Sequence, residues 1–217
     1  MQGRLITFEG GEGAGKSTQA RLLADRLTAG GTTVVVTREP GGTPFAEKVR
    51  DLVLSAAEPR SALSEALLFS AARADHVERL IRPALQRGAW VISDRFLDST
   101  RAYQGAAGGV AKETLLQLEA LAVGETRPDL TVVLDLPVAV GLARANARRQ
   151  SLGGTDTAAD AFETRRAAFH ERLREGFLAI AAAEPVRCAV VDGTLPPDRI
   201  AEVVWQLVAG RLLAGRR

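Results

Sequence analysis

Lys16 and Ser17 close the run Gly10-Gly11-Glu12-Gly13-Ala14-Gly15-Lys16-Ser17, which has the spacing G-x-x-x-x-G-K-[ST]. Glycines in this pattern let the backbone curl until successive N–H groups point at phosphate oxygens, and the N-terminus of the following helix adds to the attraction. Lys16 would reach the β- and γ-phosphates of a nucleoside triphosphate, Ser17 Oγ would take a coordination position on Mg²⁺, and Thr18 would lie beside them. The run follows an apolar strand-like segment and opens a helical pattern through Leu22, Leu23 and Leu27. That context separates a working phosphate loop from an accidental match.

A phosphate loop identifies the donor and leaves the acceptor open. Two further segments address the acceptor. Thr37-Arg38-Glu39-Pro40-Gly41-Gly42-Thr43 puts a guanidinium at the end of a second strand, and Ser93-Asp94-Arg95 puts a carboxylate and a guanidinium at the end of a third. Ligands of open α/β sheets bind at that carboxyl edge. Asp94 could hold the metal or its water, and Arg95 could clamp a phosphate through two parallel N–H bonds. Each residue alone could equally be a surface ion pair; their convergence on one rim argues for a site.

The elements that must position these groups are legible as short apolar runs, Leu5–Phe8, Val34–Thr37, Trp90–Ser93, Leu130–Asp135 and Val186–Val191, separated by helical Ala/Leu/Arg stretches. This alternation predicts βαβ units: a three-layer α/β/α fold of the P-loop NTPase type on a five-stranded parallel sheet. Pro83 is expected to bend or end its helix. The 217 residues suit one domain, with no linker to divide them. Between two helical stretches, residues 148–160 are polar with two glycines, the composition of a lid, although an ordinary solvated loop reads the same way.

With 28 basic and 26 acidic residues the net charge is only +2, which argues against nucleic-acid or membrane-surface partners. A single cysteine, Cys188, excludes an intrachain disulfide and a Cys-based zinc site. His76 and His170 stand apart and are assigned surface or helix-packing roles. No run approaches the ~18 apolar residues of a membrane span, and neither a signal peptide nor an oxidising compartment is indicated. The expected location is the cytoplasm. Gly215-Arg216-Arg217 is expected to be a frayed tail.

Phe8-Glu9-Gly10, Arg38-Glu39-Pro40-Gly41-Gly42, Leu67-Leu68-Phe69-Ser70-Ala71-Ala72-Arg73, Asp94-Arg95-Phe96-Leu97-Asp98-Ser99-Thr100, Tyr103-Gln104-Gly105 and Arg127-Pro128-Asp129 occur in an order that resembles the thymidylate kinases, over roughly residues 5 to 180. The resemblance implies transfer of a phosphoryl group from ATP to dTMP with Mg²⁺, in a homodimer. It implies that Phe69 stacks on the thymine ring and Arg73 bonds a base carbonyl; on a helix, i and i+4 share a face, so both can address one base. Without the resemblance, Phe69 would be read as core.

The resemblance further implies that Arg38 and Arg95 grip the acceptor phosphate, that Ser99, Thr100 and Gln104 line the nucleoside, that Tyr103 lies beside the sugar 2′ position, and that Glu12 meets the 3′-hydroxyl. Glu9 is assigned as a second carboxylate near the metal, with capping of a helix or loop as the other reading. The phosphate loop holds no arginine, so the resemblance assigns the arginine of the transferring phosphoryl to the lid, at Arg148. Arg144, one turn earlier, would meet the adenine, and Arg149 is an alternate. The chain departs from the family at Asp160-Ala161-Phe162-Glu163, where an arginine is common; Arg165 and Arg166 are the nearest replacements. Other readings are a kinase of another nucleotide or nucleoside on the same fold, a P-loop switch ATPase, which needs no second arginine-lined pocket, and a kinase-like chain without activity.

Overall fold

The computed structural model describes residues 3–55, 60–151 and 167–214. Five parallel strands, β1 (Leu5–Glu9), β2 (Val34–Arg38), β3 (Trp90–Asp94), β4 (Leu130–Asp135) and β5 (Cys188–Asp192), lie in the order β2-β3-β1-β4-β5. The sequence expectation of a five-stranded parallel α/β/α fold is met, with the last strand starting two residues later than the apolar run from Val186.

Side-chain alternation along the strands divides the core between two layers. Ile6 and Phe8 of β1, Trp90 and Ile92 of β3, and Val132 and Leu134 of β4 pack with Leu23 and Leu27 of α1 (Lys16–Ala29) and Ile200 and Val204 of α9 (Pro197–Val208). On the opposite face, Leu5 and Val91 meet Phe96, Leu97 and Val123, while Val133 meets Tyr103, Phe169, Leu173 and Phe177. The intervening helices are α2 (Pro44–Leu54), α3 (Ala62–His76), α4 (Arg82–Gln86), α5 (Leu97–Thr100), α6 (Lys112–Val123), α7 (Val138–Ser151) and α8 (Ala167–Ala183). Thr43 Oγ1 accepts from Ala46 N and caps α2, whose first residue, Pro44, needs no N–H partner there.

Pro83 does not end its helix. A π-helical turn, Val77–Ile81, joins α3 to α4, so Pro83 falls in the first turn of α4 and helix continues to Gln86. A second π turn, Arg101–Ala106, extends α5 and carries Tyr103 and Gln104. Of the expected lid, 148–151 belong to α7; the remainder, with Ala161, Arg165 and Arg166, lies outside the described residues, as does the 215–217 tail. Among the described residues, no helix is long and apolar enough to cross a membrane.

Candidate active site

Parallel strand order sends the carboxyl ends of β1, β2 and β3 to one rim, where β1 pairs on both sides and the chain leaves it in the phosphate loop. The curl of that loop needs glycine at two tight places. Gly10 has φ +133° and a Cβ there would sit 2.4 Å from Leu134 O; Gly13 has φ +67° and a Cβ would sit 2.1 Å from Gly141 O. Beyond the loop opens a cleft of about 480 Å³.

The residues of the phosphate loop from Glu12 through Thr18 line this cleft, while Gly10 and Gly11 face a separate small pocket beside Leu134 and Leu136. Lys16 Nζ donates to the carbonyls of Gly10 (3.1 Å) and Gly11 (2.8 Å), so its charge is held at the loop centre. Burial, seconded by Arg95, pulls its pKa down to about 8 against the carboxylates of Glu12, Asp94 and Glu9. Ser17 Oγ donates to Asp94 Oδ2. Two adjacent hard oxygen donors beside a phosphate loop are a donor set that suits Mg²⁺.

The acceptor half is built on three elements. Arg38 ends β2 and pairs with Glu47 at 3.1 Å, its side chain still more than half exposed. Phe69 and Arg73 share one face of α3 and both line the cleft. Arg95, at φ +71°, leads into α5; its Nη2 donates to Glu12 Oε1 at 2.8 Å, its Nη1 to Ser99 Oγ at 3.3 Å, and its guanidinium lies 4.9 Å above the Tyr103 ring. Tyr103 Oη also donates to Glu12 Oε1, at 2.5 Å. Burial raises the pKa of Glu12, but Arg95, Lys16 and this hydroxyl outweigh it and bring the carboxyl down to about 2. Ser99, Thr100 and Gln104 complete the wall, Gln104 anchored to Glu65 at 3.0 Å.

Arg148, near the end of α7, reaches the cleft. Arg144 does not line it: Nη1 donates to Gly193 O at 2.8 Å, bridging from beside Gly13 to the turn after β5. The assignment of Glu9 to the metal is corrected. Glu9 is fully buried and turned from the cleft; Oε1 accepts from the backbone of Phe96 (2.8 Å) and Ser99 (3.2 Å), and Oε2 from Ser99 Oγ (2.6 Å), so it caps α5. Burial, with the neighbouring Asp98 charge, pushes its pKa up to about 8. His76 is likewise no surface residue: it is wholly buried between Thr37 and Glu39.

Sequence reasoning missed Glu39, Pro40, Arg50 and Leu54 as cleft residues. Glu39 and Pro40 stand inside a quoted motif, a signal that was available; Arg50 and Leu54 reach the cleft only through the orientation of α2.

Comparison with known proteins agrees with this geometry. The thymidylate kinase family model matches residues 8–204. A thymidylate kinase of Caulobacter vibrioides is 54% identical over 97% of this chain and 98% of its own, and one of Bradyrhizobium sp. (strain ORS 278) is 52% identical over 97% and 92%. Among solved structures, thymidylate kinase from Ehrlichia chaffeensis superposes with a TM-score of 0.76 at 34% identity, covering 96% of this chain and 99% of that one. A phosphate loop, an arginine-lined second pocket and full-length similarity converge: the chain is a kinase and belongs to the thymidylate kinase family.

Proposed function

We propose that the chain, which phosphorylates dTMP, takes the phosphoryl group from Mg²⁺-bound ATP at the cleft between the phosphate loop and α3, releasing dTDP and ADP. The observation that carries the residue-level reading is one cleft holding Lys16 and Asp94 at one end and Phe69 and Arg73, one helical turn apart, at the other. Phosphoryl transfer asks of the protein positioning and charge neutralisation rather than covalent chemistry. The donor phosphates lie on the loop N–H groups, with Lys16 between the β- and γ-phosphates. Ser17 and Asp94 would hold the metal, which would supply positive charge against the phosphates.

The acceptor is oriented by groups of different kinds. Phe69 offers a stacking face and Arg73 a donor to a base carbonyl; stacking tolerates any base, so discrimination falls to the polar partner. Arg38 and Arg95 hold the acceptor phosphate, and Glu12 takes the 3′-hydroxyl. Tyr103, fixed by its bond to Glu12, crowds the 2′ position against a ribose. Arg148 approaches the transferring group from α7, with Arg144 near the adenine. We also propose a homodimer, supported by exposed Leu67 of α3 and Leu116 and Leu121 of α6; sedimentation at micromolar concentration tests it, and a monomer would reject it.

Phe69→Ala tests the acceptor reading. Loss of one stacked base contact should raise the KM for dTMP roughly tenfold while leaving the KM for ATP unchanged. Equal change in both constants would return Phe69 to the core.

A further inference from the structure

Thr37, Glu39 and His76 form a closed polar chain behind Arg73. His76 is 0% exposed, Arg73 4% and Glu39 5%, so their bonds to one another are made away from bulk solvent. Arg73 Nε donates to Glu39 Oε2 at 2.6 Å, His76 Nδ1 lies 3.0 Å from Glu39 Oε1, and His76 Nε2 lies 2.7 Å from Thr37 Oγ1. A carboxylate only accepts, so Nδ1 carries a proton and donates to Glu39, while Nε2 pairs with the threonine hydroxyl. The loop after β2 closes over this pair: a Cβ on Gly42 would stand 2.5 Å from His76 Nε2 and 2.6 Å from Thr37 Oγ1.

The far side of the guanidinium is as tightly specified. Arg73 Nη2 donates to Phe96 O at 3.1 Å and to Thr100 Oγ1 at 3.0 Å. Three of its five N–H donors are thereby placed, and the two on Nη1 remain for a ligand in the cleft. A carboxylate held by Arg73 Nε alone can swing about that one bond, and the His76 N–H on Glu39 Oε1 fixes its plane.

We propose that His76, acting through Glu39, is a positioning residue that determines base specificity: it fixes the carboxylate that anchors Arg73 Nε and so keeps the Nη1 donors turned toward a base carbonyl in the cleft. This rests on the reading of Arg73 as the base-binding group. The chain Thr37–His76–Glu39–Arg73 runs from β2 to α3, and it ties the geometry of the loop after β2 to recognition of the acceptor.

Two amide substitutions separate positioning from mere packing. His76→Asn puts its amide nitrogen near the place of Nδ1, and His76→Gln puts its amide near Nε2. His76→Gln should raise the KM for dTMP about tenfold, the usual scale for an orphaned buried partner, and narrow the preference for dTMP over dCMP by a similar factor. His76→Asn should restore both to within about threefold of the parent, and kcat and the KM for ATP should stay within about twofold in each. Equal losses in the two variants, a matching change in kcat and ATP KM, or no change at all would overturn the proposal. Should His76→Gln fail to fold, Thr37→Val removes only the Nε2 partner; a dTMP KM about threefold higher with ATP unaffected is expected, and an unaltered dTMP KM overturns it. Arg73→Lys distinguishes the two levels. An unchanged dTMP KM there rejects the base-site reading itself, whereas a raised one beside normal His76→Gln kinetics rejects only the role of His76.

Discussion

Lys16 carries its charge at a cost until a phosphate arrives. With Nζ on two loop carbonyls and a pKa brought down to about 8 by burial, it is partly neutral in the ligand-free protein at mildly alkaline pH. Phosphate oxygens restore the protonated form, so binding of a non-hydrolysable ATP analogue should take up about half a proton near pH 8 and almost none below pH ~6.5. Calorimetry in buffers of different ionisation enthalpy measures this directly; heats independent of buffer at pH 8 would contradict it. Lys16→Ala or Asp94→Ala should each lower turnover by ~10²-fold or more, because each removes charge the transferring group requires. Arg148→Ala should lower kcat more than it raises either KM if its contact belongs to the transition state; an intact kcat would move that role to another residue. The positions of Lys16 and Asp94 are legible in sequence because loop spacing and a strand end fix where they emerge; Arg148 is legible only through the family resemblance. Glu9 is not legible in the same way: a carboxylate at a strand end faces either a ligand or a helix N-terminus, and only the direction of α5 decides.

At the scale of elements, the segment from Leu97 to Ala106 carries most of the acceptor wall and is held from below. Asp98, fully buried, accepts two bonds from Arg187 at 2.7 Å, and Arg187 also donates to Glu184. Arg101 joins Glu184 and Glu119, which Arg127 also reaches. Arg187→Ala leaves the buried Asp98 with only the long contact to Arg101 at 3.5 Å and the Thr131 hydroxyl, and should cost about 3 kcal/mol in urea unfolding; a loss under 1 kcal/mol would mean that these two suffice. Glu9 gives this segment a pH signature. Its folded pKa of about 8 lies above the ordinary carboxylate value, so between about pH 4.5 and pH 8 the native state keeps a proton that the unfolded chain has released. Stability therefore falls as pH rises through that window, and Glu9→Gln should flatten the fall; identical slopes in both proteins would contradict it. Asp98 and Arg187 stand 89 positions apart, so no local pattern joins them. The π turns were equally hidden, since their wide register is decided by what the helix packs against, and that is why Pro83 reads as a break and is not one.

For the whole molecule, strand positions follow from β-branched apolar runs, and a parallel sheet from their alternation with helices. The strand order and the two-layer core agree with that reading because successive strand residues face opposite layers. What spacing alone leaves open is depth: which of Glu9, Glu39, His76 and Arg73 sink beneath the cleft floor depends on contacts between distant segments. The central claim is that this sheet edge joins a nucleotide donor to a dTMP acceptor. Its most direct test is ADP release with ATP and Mg²⁺ in the presence of dTMP, dUMP, dCMP, dGMP, AMP or no acceptor. The account predicts strong dependence on dTMP, with dUMP weaker and the rest near background. Preference for another acceptor, or ADP release that needs none, would contradict it.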